Sequence, residues 1–528
     1  MGEKRDKPML PADLERELGF PVRVACIDVG SNALRFAAAE FESPERFRTI
    51  EQERAAVRLG HDVFLTGRLT DGAMDAALAA LTSFWERIAK LDVAVYRAVA
   101  TSAVRESSNG ETFVERVRGQ VGLELEIISG SEEARLVHAA VRRAVPLAGK
   151  EWVVVDVGGG SVEVLLVDER AILWSESHTM GSVRLLEELS ESGEEPGRFR
   201  RLLEEYTATL RLPSAARSRR PTGFIATGGN AETLVQLAGT AAAGAGAAGT
   251  LSVDALRNII EHLSRLSYRQ RVDELGLRED RADVILPAAM VYEHLAGLSG
   301  ASTIVVPGVG IREGVLHDLV EAVTTQRAHA DRRDQELATA LLAVGRRYMF
   351  DEAHARQVAR LSLALFDQLQ ELHGLDEADR RVLQAAAWLH DIGSYISYKR
   401  HHKHSMYLVT QAELPGLSTA QVELAATVAR YHRKSDPGPQ HEEFSRLKPA
   451  DQRRVLAMAA LLRLADALDR EHSERVRTIT MELRGNKALL RLEGKGDLLL
   501  EKWALKRKSA LFERVFEREL RVRNGGEP

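Results

Sequence analysis

The same pattern of residues occurs twice before residue 170, and it constrains the fold more than any other feature of the chain. Residues 22–40 read VRVACIDVGSNALRFAAAE, and residues 151–169 read EWVVVDVGGGSVEVLLVDE. In each segment an apolar run leads to an aspartate, a glycine-containing turn and a second apolar run, which predicts a β-hairpin. Asp28 of the first segment aligns with Asp156 of the second. The repeat predicts an α/β half made of two lobes, one around each hairpin.

The chain has 528 residues, which is too long for a single hydrophobic core, so we expect several domains. Strand and helix patterns alternate until about residue 325, with a break near residues 146–150. Amphipathic helices then continue to about residue 473, and two segments of period-two alternation and a basic helix over residues 501–519 follow. The predicted divisions are an N-terminal extension (1–20), a first lobe (21–146), a second lobe (147–325), an all-helical domain (326–475) and a small C-terminal β-α region (476–528). An Ala/Gly tract at 240–249 has the composition of a flexible loop.

Composition excludes some classes of protein. The net charge of −5 argues against a general nucleic-acid or membrane binder, because such proteins usually carry a basic excess. The single cysteine, Cys26, lies in an apolar run, which predicts a small buried side chain and a reducing compartment. The sequence contains no apolar run long enough to span a membrane and no signal-peptide pattern at its start. These features predict a cytoplasmic protein that binds neither membranes nor nucleic acids.

The turns of the two hairpins have the chemistry of phosphate-binding loops. Glycine lets the chain approach a ligand closely and present consecutive backbone N–H groups, which suit phosphate oxygens. The aspartate before each turn suits a divalent cation that screens phosphate charge. One such turn alone would more often be an ordinary hairpin. Two matched turns, with further glycine loops at 227–229 and 307–310, favour a phosphate site between the lobes.

Seven motifs together resemble one protein family. In chain order they are IDVGSN, ATSAVRES, EIISGSEEARLV, VDVGGGSVEV, MGSVRL, ATGGN and VPGVGIREGVL. This set resembles the exopolyphosphatase and guanosine-pentaphosphate phosphatase family over residues 20–320, in the family's order, and the resemblance extends into the helical domain. The family belongs to the superfamily of actin, sugar kinases and heat-shock chaperone ATPases. The resemblance therefore implies two actin-like (ribonuclease-H-like) lobes with a cleft between them.

The resemblance also implies roles for particular residues. Glu133 matches the family's general base, which activates the attacking water, and Arg105 matches an arginine that contacts phosphate. Asp156 and Glu163 match acids near the metal and the attacking water, and with Asp28 they are the expected ligands of Mg²⁺ (or Mn²⁺). Glu132 is interpreted as a solvated helix charge. The expected phosphate-binding residues are Gly30, Ser31, Asn32, Gly158, Gly159, Gly160, Ser161, Gly228, Gly229 and Arg312.

The helical domain carries histidines and aspartates in an order that resembles the metal-dependent HD phosphohydrolases. An adjacent His-Asp pair within an apolar helix needs partners or a metal, and imidazole with carboxylate ligands favours Mn, Fe or Zn over Mg. The alternative is a domain that serves only as a dimer scaffold and channel wall. Ser394 replaces a lysine that follows this motif in some HD hydrolases, and residues 399–403 are interpreted as a basic patch for a polyanion or a solvated charge run. The candidate ligands are His354, His390, Asp391, His404, His432 and Asp466.

Together these features predict a phosphoanhydride hydrolase, most simply an exopolyphosphatase that releases orthophosphate from inorganic polyphosphate. One alternative is a guanosine pentaphosphate 5′-phosphohydrolase, because both substrates present the same terminal anhydride. An alternative of another class is a non-catalytic actin-like regulator that binds nucleotide or polyphosphate, and the superfamily also includes kinases. We expect a homodimer.

Overall fold

The computed structural model describes residues 17–190, 198–212, 221, 223–239 and 249–524. The predicted N-terminal extension up to residue 16 and the Ala/Gly tract at 240–248 lie outside the described residues. The chain divides into two compact units, residues 1–333 and residues 334–528. Among the described helices, none is both long and apolar enough to cross a membrane.

A five-stranded sheet organises the first lobe, with strand order β3-β2-β1-β4-β5. Strands β1 and β2 form the predicted antiparallel hairpin, and β4 lies parallel to β1 on its other side. Alternate residues of β1 pack into two different apolar clusters, one on each face of the sheet, as in a sheet covered by helices on both sides. Cys26 is buried in one of these clusters, as predicted. The strands are β1 (Val22–Val29), β2 (Leu34–Phe41), β3 (Phe47–Ala55), β4 (Val95–Ala100) and β5 (Leu125–Ile127).

Six of the described helices pack against this sheet or continue from its strands. The last of them, α13, comes from the part of the chain that we assigned to the second lobe, but it packs on the first sheet. Its apolar residues Val315, Leu319 and Val323 lie in the same cluster as Val24 of β1, so the chain returns to the first lobe before it leaves the unit. The helices are α1 (Leu59–Thr66), α2 (Asp71–Lys90), α3 (Ser102–Glu106), α4 (Gly110–Val121), α5 (Gly130–Ala144) and α13 (Ile311–Thr324).

The second lobe repeats this plan around a six-stranded sheet of order β10-β11-β9-β6-β7-β8. Strands β6 and β7 form the second predicted hairpin, and β9 lies parallel to β6, as β4 does to β1. The strands are β6 (Trp152–Val157), β7 (Val162–Val167), β8 (Ile172–His178), β9 (Gly223–Thr227), β10 (Gly249–Ser252) and β11 (Thr303–Val306). The helices are α6 (Ser182–Ser190), α7 (Arg198–Thr207), α8 (Gly229–Leu237), α9 (Val253–Arg265), α10 (Tyr268–Asp273), α11 (Glu279–Ala282) and α12 (Ile285–Ser299).

The second unit is a set of helices with a three-stranded sheet of order β12-β13-β14. The helical pattern predicted to about residue 473 is confirmed, since α21 ends at Ala467 and β12 begins at Val476. The helices are α14 (Gln326–Arg347), which crosses the division between the units, α15 (Glu352–Gln368), α16 (Gln370–His373), α17 (Glu377–Leu389), α18 (His401–Thr410), α19 (Thr419–Arg430), α20 (Glu442–Ser445) and α21 (Pro449–Ala467).

The C-terminal segment differs from its prediction. The single basic helix expected over 501–519 is two helices followed by a strand that pairs with β13 in parallel. Residues Leu490 and Phe512 of this segment lie in the same apolar cluster as Leu365 of α15. The segment therefore completes the core of the helices and has no separate core of its own. Its elements are β12 (Val476–Arg484), β13 (Lys487–Gly494), α22 (Leu499–Lys508), α23 (Ala510–Phe516) and β14 (Glu519–Asn524).

Candidate active site

The turns of the two hairpins meet inside the first unit. A Cβ added to Gly159 would lie 2.9 Å from Ser31 Cβ and 3.4 Å from Asn32 N, so only glycine allows this approach. Gly160 is equally constrained, because an added Cβ there would lie 2.5 Å from Ser102 Oγ. A cavity of about 410 Å³ opens beside these turns and is lined by residues of both lobes. The lobes thus enclose a cleft at the position that the repeated hairpin predicts.

Nearly all the predicted phosphate-binding residues line this cavity. Gly160 does not, because it is turned towards Phe64 and Ser102. Gly228 has φ of 89°, a conformation that glycine adopts without strain, and it is the N-cap of helix α8, whose first residues face the cavity. The N-terminal end of a helix favours anions. The residues that do line the cavity are Gly30, Ser31, Asn32, Gly158, Gly159, Ser161, Gly228, Gly229 and Arg312.

Three buried carboxylates line the cavity, and a fourth lies beside one of them. Asp28 and Asp156 lie at the ends of β1 and β6, Glu133 lies in the first turn of α5, and all three line the cavity. Glu163 is directly paired with Asp156 across β6 and β7. Each of the four accepts a hydrogen bond from a nearby donor: Asp156 from Thr227 Oγ1 at 2.7 Å, Asp28 from Arg35 at 3.0 Å, Glu163 from Ser177 Oγ at 3.0 Å and Glu133 from Arg105 at 2.5 Å.

The negative charges of these acids are only partly balanced by nearby cations. Burial raises the pKa of Glu133 to about 7, Asp156 and Asp28 add to that rise, and Arg105 opposes it. Burial, then repulsion by Glu133 and Asp156, raises the pKa of Glu163 well above its usual range. Burial also raises the pKa of Asp156. Buried acids near one another favour a bound cation, and Mg²⁺ prefers oxygen ligands. Asp28, Asp156 and Glu163 are not, however, among the groups of potential ligands that the described residues bring within 4.8 Å of one another, so their role as Mg²⁺ ligands stays a prediction.

Arg105 has a different neighbour from the one expected. Its guanidinium lies 2.5 Å from Glu133 Oε1 and donates to Ile128 O at 2.7 Å. Among the described residues that line the cavity Arg105 is absent. The guanidinium forms an ion pair that fixes the Glu133 carboxylate, and the predicted contact of Arg105 with phosphate stays a prediction.

Glu132 and Glu133 are neighbours on α5, but their pKa values are shifted in opposite directions. The interpretation of Glu132 as a solvated charge is wrong, because the side chain is buried and pairs with Arg135 at 2.8 Å and Arg97 at 3.0 Å. Burial opposes ionisation of Glu132, but these guanidiniums hold its pKa well below the usual range. Glu133 pairs with Arg105 and keeps a raised pKa. The i,i+3 spacing of Glu132 and Arg135 was the sequence feature that could have predicted this ion pair.

A cluster of arginines also lines the cavity, and sequence reasoning missed it. Arg281 is buried, donates to Asn230 Oδ1, and has its pKa lowered to about 10 by burial and by the charges of Arg35 and Arg278. Arg54 also lines the cavity and pairs with Asp280. Like charges held this close indicate a site that an anion would stabilise. No motif marks these residues, because they come from distant segments.

Comparison with known proteins agrees with this geometry. A model of the Ppx/GppA phosphatase family matches residues 39–323, and a model of domain III of that family matches residues 338–512. The chain belongs to the Ppx/GppA phosphatase family. Members of this family hydrolyse phosphoanhydride bonds, so the protein is a phosphoanhydride hydrolase. The matches confirm the predicted family and its third domain.

Individual relatives within the Ppx/GppA family carry two different names. A guanosine-5′-triphosphate,3′-diphosphate pyrophosphatase of Photobacterium profundum is 25% identical over 450 residues, which are 83% of this chain and 86% of the relative. The crystal structure of an exopolyphosphatase from Cytophaga hutchinsonii ATCC 33406 is 29% identical, with a TM-score of 0.54 over 57% of this chain and 98% of that one. A family member from Aquifex aeolicus is 26% identical, with a TM-score of 0.49 over 58% and 99% of the two chains.

The part of the chain that matches domain III of the Ppx/GppA family contains a second cluster of ionisable groups. His354 Nε2 lies 3.7 Å from Asp466 Oδ1, and His390 Nε2 lies 4.0 Å from the same oxygen. His390 Nε2 is also 3.8 Å from Asp391 Oδ2, and His432 Nε2 is 3.3 Å from Asp391 Oδ1. The structure thus brings together five of the six residues predicted for this site.

The sixth predicted ligand is replaced by a neighbour. His401 Nε2 lies 2.9 Å from Asp391 Oδ1 and 3.2 Å from His432 Nε2, whereas His404 is outside the two groups of potential ligands among the described residues. The first turn of α18 directs His401 inward, where it is buried, and His404 is only half-buried. His401 is therefore part of the cluster and does not belong to a solvated basic run.

Three imidazole side chains of this cluster are oriented so that the Nε2 atom of each is available to a metal. His354 Nδ1 lies 2.8 Å from Asp469 Oδ2, and the Nδ1 atoms of His390 and His432 each lie 2.8 Å from a backbone carbonyl three residues earlier. Such partners fix the tautomer and leave Nε2 available to a metal. Within the described residues, His354 Nε2 and His390 Nε2 are buried without a hydrogen-bond partner, which costs about 1–3 kcal/mol for each such group. Burial also lowers the pKa values of His390 and His432, which favours neutral imidazole. The donors fit a transition metal.

Proposed function

We propose that this protein is an exopolyphosphatase that releases orthophosphate from the end of inorganic polyphosphate. The observation that carries the proposal is the position of Glu133, a carboxylate with a pKa of about 7 that faces a cavity bounded by two glycine turns. A group with that pKa accepts a proton at neutral pH, as a general base must. The turns suit the phosphate oxygens on which charge develops.

The proposed reaction is a direct displacement by water. The water oxygen attacks the terminal phosphorus, the bond from that phosphorus to the bridging oxygen breaks, and Glu133 accepts a proton from the water. Orthophosphate and a chain shorter by one phosphate leave the cleft. Arg105 holds the Glu133 carboxylate in place through the ion pair at 2.5 Å. Mg²⁺ (or Mn²⁺), held by Asp28, Asp156 and Glu163, would neutralise phosphate charge.

The arginine cluster supports a substrate with several phosphates. Arg35, Arg54, Arg278 and Arg281 line the same cavity as Glu133, and their mutual repulsion suits internal phosphates of a chain. Guanosine pentaphosphate hydrolysis is the second candidate, and the similarity to the Photobacterium pyrophosphatase, which covers 83% of this chain, favours it. A non-catalytic regulator disagrees with membership of a phosphatase family, and a protein that only binds phosphate needs no carboxylate of raised pKa beside the phosphate loops.

The two substrates can be compared directly in the presence of Mg²⁺. We expect phosphate release from long polyphosphate with a higher kcat/KM than from guanosine pentaphosphate, and only background release by Glu133→Gln. A higher kcat/KM for guanosine pentaphosphate would replace the first proposal with the second. Binding of both substrates with no release above that of Glu133→Gln would support the regulator.

We also propose that the histidine cluster of the second unit binds Mn, Fe or Zn, as an HD-type site would. This proposal is supported by the carboxylates of Asp391 and Asp466 and by the convergent Nε2 atoms of His354, His390, His401 and His432. Metal analysis of the full chain purified without chelator should find close to one ion per protein. His404→Ala should keep that ion, and a metal content near zero in the unchanged protein would reject the site. The homodimer and the cytoplasmic location stay predictions.

A further inference from the structure

The histidine cluster opens into a cavity of its own within the second unit. This cavity has a volume of about 460 Å³, which is in the usual range for sites that hold a small organic ligand. Asp391, His401, His432 and Asp466 form one part of its wall. The rest of the lining comes mainly from the loop after α19, the end of α21 and helix α22. We call it the second-unit cavity.

The charge of this lining is strongly positive. Two of its cations are already neutralised: Lys508 pairs with Asp466, and Arg463 pairs with Asp436 and donates to backbone carbonyls. Four other cations line the cavity, and none of them pairs with a carboxylate in the described part of the chain. These four are Arg433, Lys434, Arg470 and Arg507. Cations gathered around a concave surface without acidic partners attract an anion, and phosphate is an anion that arginine binds through paired, charge-assisted hydrogen bonds.

Two aromatic side chains line the same cavity and are largely exposed to solvent. Trp503 is 52% exposed and Tyr398 is 72% exposed. The guanidinium of Arg507 lies 4.9 Å from the centre of the Trp503 ring, which fixes the orientation of the indole. Flat aromatic surfaces held open to solvent beside cations are the features on which proteins stack nucleobases. A purely inorganic phosphate chain would make no use of them.

We propose that the second-unit cavity binds a nucleotide, with its phosphates against Arg433, Lys434 and Arg470 and its base stacked on Trp503. The histidine cluster then faces the phosphate end of the ligand. This binding site lies wholly in the second unit and is additional to the phosphate site of the cleft. It does not depend on which substrate the cleft hydrolyses.

The test is calorimetric binding of guanosine diphosphate and of inorganic diphosphate to the full chain. Trp503→Ala should weaken guanosine diphosphate binding at this site by about 5- to 150-fold, the range that corresponds to the loss of one base stack. Trp503→Phe should restore most of that affinity, because it retains a stacking surface. Arg470→Ala should weaken both ligands. Binding to the cleft is common to all variants and serves as an internal reference.

Matched controls are available in the same unit. Tyr407 is 62% exposed but does not line the cavity, and Arg453 is an exposed arginine outside it. Tyr407→Ala and Arg453→Ala should leave both affinities unchanged. The proposal is rejected if Trp503→Ala binds guanosine diphosphate as tightly as Tyr407→Ala does. It is also rejected if inorganic diphosphate binds as tightly as guanosine diphosphate, because the cavity would then be a site for phosphate alone. Phosphate release from polyphosphate should be the same in all of these variants, so failure here is distinct from failure of the cleft proposal.

Discussion

The cleft of the first unit and the histidine cluster of the second unit both bury ionisable groups, but their charges are balanced in opposite ways. In the cleft, burial and mutual repulsion raise the pKa values of Glu133 and Glu163. In the cluster, burial is outweighed by His390 and His401, which hold the pKa of Asp391 well below its usual range. An oxygen-only site with excess negative charge suits Mg²⁺ and a general base, whereas a nitrogen-rich site suits a transition metal. The difference supports the proposal that one chain holds two separate sites.

The largest expected effect comes from removal of the base. Glu133→Gln should lower the turnover of polyphosphate by roughly 10²–10⁴-fold, because the amide cannot accept the proton of the attacking water. KM should change little, since the phosphate-binding turns are unaltered. Steady-state kinetics with polyphosphate and Mg²⁺ measure both quantities. Turnover within tenfold of the unchanged protein would exclude Glu133 as the base. The cleft would then no longer differ from the histidine cluster by having a general base.

The pH dependence of the reaction should report the raised pKa of Glu133. The base acts in its deprotonated form, so kcat/KM should fall as the pH drops below about 7 and level off above it. Because Mg²⁺ favours ionised carboxylates, raising the Mg²⁺ concentration should move this fall to lower pH. The measurement is kcat/KM for polyphosphate over a range of roughly two pH units on either side of that pKa. A flat profile over this range would mean that the electrostatic account of the cleft is incorrect.

A smaller effect is expected from the arginine cluster. Arg281→Gln should raise KM for long polyphosphate by about tenfold, the effect of one lost hydrogen bond to a charged group, with kcat little changed. The increase should be smaller for a short oligophosphate that does not extend to the cluster. Arg269→Gln, a change at an exposed arginine of the same lobe outside the cavity, is the control. Equal increases in KM for both chain lengths would show that Arg281 does not distinguish internal phosphates.

The features that could be predicted from sequence are those set by short local patterns. The turn glycines and Asp28 and Asp156 belong to hairpins whose strands and turns are encoded within about 20 residues, so their position in one cleft followed from the repeat. The helical character of residues 352–467 was equally local. The order of histidines and aspartates along the chain predicted five residues that the structure brings together in the cluster.

The features that were missed depend on contacts between distant segments. The pairing of Arg105 with Glu133 joins residues from two helices, and the arginines at the cleft come from both lobes. The return of α13 to the first sheet and the shared core of the C-terminal segment depend on which apolar faces meet. His401 and His404 are about one helical turn apart, and only the packing of α18 decides which of them is buried.

We expect the two sites to act independently, and one crossed measurement tests this directly. Phosphate release from polyphosphate and bound transition metal should both be measured in Glu133→Gln and in the double variant His390→Ala, Asp391→Ala, with thermal unfolding to confirm that each is folded. We predict that Glu133→Gln loses phosphate release and keeps its transition metal. The double variant should lose the metal and keep phosphate release in Mg²⁺. A folded double variant that no longer releases phosphate from polyphosphate would contradict the separation of the two sites.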